Sequence, residues 1–431
     1  MTDERLATKA RTSNEPVRPL VAQRVVLSLQ QGAGPPCRPT VEVGRRVRIG
    51  DLVAASDPGS GVDVRIHASV AGAVVSVASR SASDDMMADA IVIENDTSQE
   101  ETLNPPLEEE TPEAIRAAVR EAGIIGLGGA GFPTYVKLAA PPQDNPIDSV
   151  IANGCECEPY LTCDYRALIE QPEDIVNGLN LIRKAVDAEH GYITSGTERK
   201  EATRNIDHLL KPKDGNRVMH LKYERALGYE KKLIFAALGR QVPHGRSPRD
   251  IGVIVQNVQT IIAVSQAVRQ RKSLTSRLIT VSGDGVTRPG NYRIPIGTSV
   301  RTILDACCWQ PQQTAAVVMG GPMMGAAVND LETPIRKTTT GIVAMTFAEI
   351  PPFMNEPCIR CGTCADACPL GLVPVDIASL SGSSPSALEQ LWADYCVECG
   401  ECEYVCPSGR PLLEKIRAVK RTLNGRRATE K

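Results

Sequence analysis

The sequence predicts a multi-domain α/β chain: two small β modules with an α/β domain between them, and a cysteine-dense helical module last. Three observations predict it. At 431 residues the chain is too long for one ordinary core and divides into several modules. The hydrophobic period changes along the chain, from alternation to helix-and-strand units and back to alternation. Eight of the 14 cysteines fall into two strictly spaced runs near the end.

Composition narrows the function classes. A net charge of -3 and a pI near 6.1 leave no basic footprint for nucleic acid. The opening residues, MTDERLATKARTSNEP, lack the apolar core of a secretory signal, so a cytoplasmic protein is expected. The uncharged stretch Ile251 to Val268 contains Gln256, Asn257, Gln259, Thr260, Ser265 and Gln266, and no transmembrane helix is expected. A cytosolic setting disfavours disulfides, which leaves metal ligation as the reading of the spaced cysteines. The other six, Cys37, Cys155, Cys157, Cys163, Cys307 and Cys308, follow no ligand spacing and read as small buried residues.

Residues 1–20 are polar and poor in aliphatics, which predicts a disordered tail. Over 21–100, Val41, Val43, Val47 and Ile49 alternate and Gly72-Ala-Val-Val-Ser-Val follows, as in a small all-β module. Its organisation resembles the barrel-sandwich fold of lipoyl carriers, yet the segment from His67 to Val75 has no lysine to modify, so no swinging-arm role is expected. An acidic, proline-containing linker leads to a helix capped by Thr111 with Pro112 in its first turn; Ile115, Ala118, Val119 and Ala122 share its apolar face and Gly123 can end it. Buried strands at Ser149 to Ala152 and Ile251 to Val255, and an amphipathic helix marked by Ile175, Leu179, Ile182 and Val186, make 105–275 an α/β domain. Turn signals at Gly283-Asp-Gly, Pro289-Gly290-Asn291 and Gly320-Gly321-Pro322 divide 276–350 into short strands that fit a β-grasp-like module. Residues 355–415 carry the cysteine runs, and 416–431 read as a basic, mobile tail.

The runs are Cys358-x2-Cys361-x2-Cys364-x3-Cys368-Pro369 and Cys396-x2-Cys399-x2-Cys402-x3-Cys406-Pro407. This is the ferredoxin-like spacing for two 4Fe-4S clusters. Three thiolates at x2 spacing surround one cube, and the fourth reaches the neighbouring one. Cys358, Cys361, Cys364 and Cys406 are therefore expected on one cluster, and Cys368, Cys396, Cys399 and Cys402 on the other. Structural zinc also uses CxxC pairs, but its sites close on four ligands and do not need this pattern twice.

Between Gly126 and Lys137, the stretch Gly-Leu-Gly-Gly-Ala-Gly-Phe-Pro-Thr-Tyr-Val-Lys has glycines that let backbone N–H groups approach a phosphate or a flavin ring. An ordinary turn explains such a loop equally well. It is not a Walker loop, since no Gly-Lys-Ser/Thr follows, and it departs from the Rossmann spacing.

Taken with Asn153-Gly-Cys-Glu-Cys-Glu-Pro-Tyr-Leu-Thr-Cys-Asp-Tyr-Arg166, that loop resembles the flavoprotein subunit of respiratory complex I and, more closely, the RnfC family of Rnf ion-pumping electron transport complexes. The likeness continues through Gly252 to Thr260, Val281 to Tyr292, Met319 to Gly325 and both cysteine runs, in the same order over roughly 20–415. The resemblance implies an FMN- and NADH-binding α/β domain, an SLBB-like β-grasp module and a two-cluster module. Gly126, Gly128, Gly129, Gly131 and Lys137 would line FMN, and Asn153, Asn257 and Thr260 would hold its ribityl-phosphate part. Glu156 and Glu158 would lie beside flavin and nicotinamide, and Glu230 near the nucleotide. Carboxylates there can accept hydrogen bonds from ribose hydroxyls or a carboxamide.

The implied role is electron transfer between NAD(H), FMN and the two clusters, to or from ferredoxin or membrane partners, coupled to ion translocation. No catalytic acid–base residue is required. The chain would sit on the cytoplasmic face of the bacterial inner membrane beside integral-membrane and flavin subunits. Two alternatives stand: a soluble reductase like the microcompartment cobalamin reductases, whose barrel-sandwich follows the clusters rather than preceding them, and a flavin-less electron wire. Two departures from the family pattern are visible. Tyr223-Glu-Arg-Ala-Leu-Gly-Tyr-Glu230 replaces a Tyr-Pro-x-Gly segment, and no histidine precedes Gly34-Pro-Pro-Cys37.

Overall fold

The computed structural model describes residues 2–78, 89–105, 107–211, 213–222, 226–243, 245–350, 356–380 and 391–429. Order begins where a disordered tail is expected: Thr2–Ser13 form helix α1 and Val17–Pro19 strand β1. The polar residues that argue for disorder are the ones that fasten α1. Arg11 donates to the carbonyls of Gly283 and Val286, and Asn291 donates to the Thr12 carbonyl. Low aliphatic content predicts disorder because little apolar area is buried; here hydrogen bonds to later modules replace it.

The alternating segment that follows closes into two facing antiparallel sheets. Its strands are β2 (Arg24–Ser28), β3 (Cys37–Pro39), β4 (Arg46–Val47), β5 (Leu52–Ser56), β6 (Arg65–His67), β7 (Gly72–Ala78) and β8 (Ala90–Asn95). One sheet runs β2-β8-β7-β4 and the other β3-β5-β6. Where the family histidine is missing, Gln30 donates to the carbonyls of Gly32 and Gly34 and shapes that loop.

A single apolar core continues from Leu27 and Ile66 of this module to Ile115, Leu179 and Ile261 of the α/β domain. The linker near 100–105 therefore joins parts that pack together. Helix α2 (Pro112–Glu121) has Thr111 as its cap, accepting from the Ala114 N–H at 3.2 Å, and buries the face that the sequence predicts. After α3 (Thr134–Lys137) come β9 (Ser149–Asn153), α4 (Cys163–Glu170), α5 (Pro172–Val186), β10 (His190–Gly196), α6 (Arg204–Leu209), β11 (Asn216–Leu221), α7 (Glu230–Leu238), β12 (Val253–Asn257) and α8 (Val258–Arg269). The strand expected from Ile251 starts at Val253, because Pro248–Ile251 turn as a 3-10 helix closed by a Ser247–Asp250 capping box. The four strands are parallel in the order β11-β10-β9-β12. Helices α5 and α8 pack closely because Gly178 has no Cβ, which would otherwise lie 2.1 Å from the Ile261 carbonyl oxygen.

The third module contains β13 (Ser276–Ser282), β14 (Gly290–Pro295), α9 (Val300–Ala306), β15 (Thr314–Met319), β16 (Ala326–Ala327) and β17 (Gly341–Thr346). Its mixed sheet is β1-β14-β13-β17-β15-β16, so residues from the expected tail supply an edge strand. Val281, Ile294, Ile303 and Ile342 form a separate core. Lys337 pins three modules together: fully buried, its Nζ donates to the carbonyls of Arg65 and Gly123, each at 2.7 Å.

The last module has short helices at Thr363–Asp366, Pro374–Ser379 and Glu401–Tyr404, then a long one, Leu412–Thr429. That long helix occupies the expected mobile tail. Ile416, Val419 and Leu423 recur on one helical face and are buried against Leu372, Ile377 and Cys402, which holds a segment that charge alone makes look free.

Candidate functional site

Strand order locates the crevice. From β9 the chain steps outward to β10 and β11, then returns to place β12 on the other side of β9. In open α/β sheets, ligands lie at the carboxyl ends of the two strands where the order reverses. Asn153 and Asn257 end those strands and are register partners. Asn257 caps α8, accepting from the Gln259 N–H at 2.9 Å, while its amide donates to Asp164 Oδ2 at 2.6 Å. Asn153 accepts from the Cys155 N–H and donates to the Gly228 carbonyl at 2.8 Å.

The glycine-rich loop lies over the start of α8. The Leu127 N–H donates to the buried Thr260 hydroxyl at 2.9 Å, and Gly128 sits so near Asn257 that an added Cβ would be 3.3 Å from its Cβ. Thr260 thus braces the loop. Gly126 and Phe132 close it by a 2.8 Å backbone bond. Gly129 takes φ +107° and faces open space, with no atom within 4 Å of a Cβ placed there. Gly131, at φ +66°, is wedged between Gly32 of the first module and Thr338 of the third. Lys137, at the loop's far end, donates to Glu230 Oε1 at 2.9 Å and to the Val255 carbonyl at 3.2 Å. Of the altered 223–230 segment, Tyr223, Glu224 and Arg225 lie outside the described residues.

The acidic turn after β9 is more engaged than an exposed pair of carboxylates. Glu156 Oε1 accepts from the Asp164 N–H at 3.0 Å and from the Cys163 thiol at 3.4 Å. Its Oε2 has no hydrogen-bond partner among the described residues, although Arg199 Nη1 lies 3.5 Å away in the same buried patch. Ligand atoms of Glu156, Cys163 and Asp164 fall within 4.8 Å of one another. Both Asp164 oxygens already accept amide N–H groups, from Asn257 and from Gln259 at 2.8 Å. Burial, followed by the Glu156 charge, pushes the Asp164 carboxyl up to about 6. Proton sharing, rather than a metal ion, suits this crowding. Glu158 reaches out of the α/β domain, accepting from the backbone N–H groups of Met323 at 3.2 Å and Met324 at 2.8 Å.

Sequence reasoning missed Asp164, Gln259 and Arg277. Asp164 stands within the motif that carries the family resemblance, so a signal existed. Arg277 had none: it enters from β13, is buried, and donates to Gln259 Oε1 at 3.0 Å and the Leu127 carbonyl at 2.9 Å.

The two cysteine runs share one backbone form. Arg360 and Glu398, each two residues after the first cysteine, take φ +55° and +56°, and their N–H groups donate to Cys358 and Cys396 sulfurs at 3.4 Å. Successive inward N–H groups of this kind favour negative charge. Cys368, Cys396, Cys399 and Cys402 wall one pocket, lined otherwise by apolar residues such as Leu372 and Ile377. Burial, then neighbouring groups that include Cys396 and Cys368, pushes the Cys399 thiol up to about 12. Four thiolates there would need a bound cation to offset their charge, which fits an iron–sulfur cube. Cys406 acts instead on Cys364, and Cys358 and Cys361 are exposed. Of the remaining six cysteines, Cys37, Cys155, Cys163 and Cys307 are buried and Cys157 and Cys308 half-buried.

The walled pocket adjoins the α/β crevice. Burial and Glu230 push the Tyr229 hydroxyl up to about 12, and Cys396 and Cys399 are near enough to add to that. The neighbouring Gly228 touches both Asn153 and Cys157, whose sulfur would be 3.0 Å from a Cβ there.

Four families match in the order of the modules: the RnfC barrel sandwich hybrid domain at residues 5–98, the Nuo51 FMN-binding domain at 119–266, the SLBB domain at 278–327 and the 4Fe-4S dicluster domain at 357–410. The chain is 37% identical over 376 residues to the RnfC-type subunit of the proton-translocating ferredoxin:NAD(+) oxidoreductase complex of Clostridium ljungdahlii, covering 85% of this chain and 80% of that one. It is 36% identical over 367 residues to the corresponding subunit of the Na(+)-translocating ferredoxin:NAD(+) oxidoreductase complex of Acetobacterium woodii, covering 83% and 81%. A relative from Pseudomonas aeruginosa, a subunit of an ion-translocating oxidoreductase complex, is 36% identical, with 48% of its length covered. Among solved structures, an NAD+-reducing [NiFe]-hydrogenase in the H2-reduced state has a similar fold, with a TM-score of 0.50 at 22% identity over 74% of this chain and 64% of that one. Among the described residues, no helix is long and apolar enough to cross a membrane.

Proposed function

This chain belongs to the RnfC family of subunits of ion-translocating ferredoxin:NAD(+) oxidoreductase complexes, and from that premise we propose that it is an NADH-linked oxidoreductase subunit passing electrons between NAD(H), FMN and two 4Fe-4S clusters. It works as a peripheral subunit on the cytoplasmic face of the bacterial inner membrane. Its partners are the integral-membrane and flavin subunits of the same ion-translocating complex, with ferredoxin at one end of the path.

The observation that carries this reading is a shared wall: Asn153 of the crevice bonds Gly228, and the adjoining Tyr229 lies in the field of Cys396 and Cys399. FMN, when bound, supplies the exchange between two-electron hydride chemistry and single-electron transfer. The open face at Gly129 and the N-terminus of α8, capped by Asn257, fit such a nucleotide, since unbonded N–H groups and the helix dipole favour phosphate. Gly126, Gly128, Gly129 and Gly131 admit the backbone closely, Thr260 and Asn153 brace the site, and Lys137 brings a cation oriented by Glu230. Glu156 and Glu158 supply acceptors at the rim. Cys368, Cys396, Cys399 and Cys402 hold the inner cube, behind apolar residues that exclude water. Cys358, Cys361, Cys364 and Cys406 hold the outer one, whose exposed sulfurs make it the exchange point with a partner.

Anaerobically purified protein tests the reading. Stoichiometric extractable FMN, with NADH bleaching both flavin and cluster absorbance, is expected. Iron and sulfide without flavin would reduce the protein to an electron wire, and absence of both would remove the proposal altogether.

A further inference from the structure

Helix α1 lies outside the four modules and threads between the α/β domain and the third module. Its residue Lys9 is 4% exposed, and its Nζ donates to the Glu156 carbonyl at 2.6 Å. The flanking residues bind the same turn and its neighbours: Thr8 accepts from the Tyr160 N–H at 3.2 Å, and the Thr162 hydroxyl donates to Thr12 at 2.8 Å. Arg11 ties the helix to the third module through Gly283 and Val286. A buried ammonium is costly unless it is compensated, and this one has three N–H donors but a single hydrogen bond among the described residues. The charges that face it belong to Glu156, Arg199, Cys157 and Glu158, the acidic turn at the crevice. Burial drives the ammonium down to about 8 in spite of Glu156.

Resting on the flavin-site reading above, we propose that Lys9 is a positioning residue of the redox site: carried in by α1, its ammonium clamps the Glu156–Glu158 turn and supplies positive field to the nucleotide bound beside it. A strap that only fastened modules would use the surface contacts of Arg11 and would not bury a lysine against an acidic turn. The turn has no other lysine within hydrogen-bond reach among the described residues. Docking of α1 and the electrical character of the crevice are thereby one event.

The test uses the full chain with clusters loaded and flavin removed. FMN is titrated back by fluorescence quenching, and the midpoint potential of the bound flavin is measured by spectroelectrochemistry, in wild type, Lys9→Met, Lys9→Gln and Lys9→Arg. The neutral variants are expected to bind FMN about tenfold more weakly, the equivalent of about 1.4 kcal/mol. Their flavin potential should be more negative, and Lys9→Arg should restore most of both. A neutral variant with wild-type affinity and potential, in a chain whose iron content and unfolding temperature are unchanged, overturns the proposal. So does a potential shift that arginine leaves uncorrected. If neither neutral variant folds, the acylation rate of Lys9 in wild type is compared with and without FMN, where protection supports the proposal and an unchanged rate overturns it. Wild type that takes up no FMN would instead refute the flavin reading itself.

Discussion

The buried carboxylate of Glu401 accepts the Ala226 N–H at 3.2 Å, a bond that crosses from the cysteine-rich module into the α/β domain. One residue earlier, Gly400 at φ +75° lies against the third module, where an added Cβ would stand 2.2 Å from the Met323 carbonyl oxygen. The run from Cys399 to Cys402 is thus seated in a corner made by two other modules, and the spacing between the redox sites depends on that corner.

Gly400→Ala should spoil the seat without removing a ligand. Positive φ and the clash with Met323 both oppose a Cβ. Since a misplacement of about 1 Å can cost up to about 100-fold in rate, cluster reduction by NADH should slow by an order of magnitude or more while iron and sulfide content hold. Stopped-flow absorbance resolves the two phases, and an unslowed cluster phase would show that the corner does not set the spacing.

Cys368→Ala and Cys406→Ala separate crossed from uncrossed ligation. If each run sends its fourth cysteine to the other cube, Cys368→Ala removes the cube held by Cys396, Cys399 and Cys402, and Cys406→Ala the exposed one. Iron should fall to about half in each case, and the cube surviving in Cys406→Ala should be the one less accessible to chelators. The reverse order of accessibility would mean that each run closes on itself.

Glu158→Gln should loosen the turn of the third module that it grips. A charged acceptor to backbone N–H is worth about 1.5–3 kcal/mol, so amide exchange at Met323 and Met324 should quicken about tenfold or more. Unchanged protection there would assign the docking to other contacts.

His67 makes the junction of the first module sensitive to acid. Burial, then the charges of Lys337 and Arg65, lowers its imidazole from 6.5 to about 3. The unfolded chain therefore binds the extra proton between those values, and the stability that His67 contributes is complete above 6.5 and drains as pH falls below it. The slope is at most about 1.4 kcal/mol per pH unit for one group. Denaturant unfolding at pH 7 and about pH 5 should show wild type losing more stability than His67→Gln; equal losses would place the acid sensitivity elsewhere.

Much of the fold was legible because it depends on local chemistry. Thr111, Pro112 and Gly123 mark a helix by their backbone preferences, and eight cysteines at fixed intervals need only a short chain to surround a cube. The first and last segments were misjudged for one reason: polar and basic residues look solvated until the surface they bind is known. Arg277 and Lys9 belong to the crevice only because β13 and α1 arrive from elsewhere in the chain.

The sequence by itself determined the modules, their order and the identity of the cluster cysteines, because spacing and periodicity act over a few residues. Only the tertiary structure decided that Asn153 and Asn257 end side by side at the strand reversal, that Tyr229 stands between crevice and cysteine pocket, and that α1 is part of the site. Those relationships come from packing between residues tens to hundreds of positions apart, where burial and hydrogen-bond satisfaction, not local pattern, choose the partner.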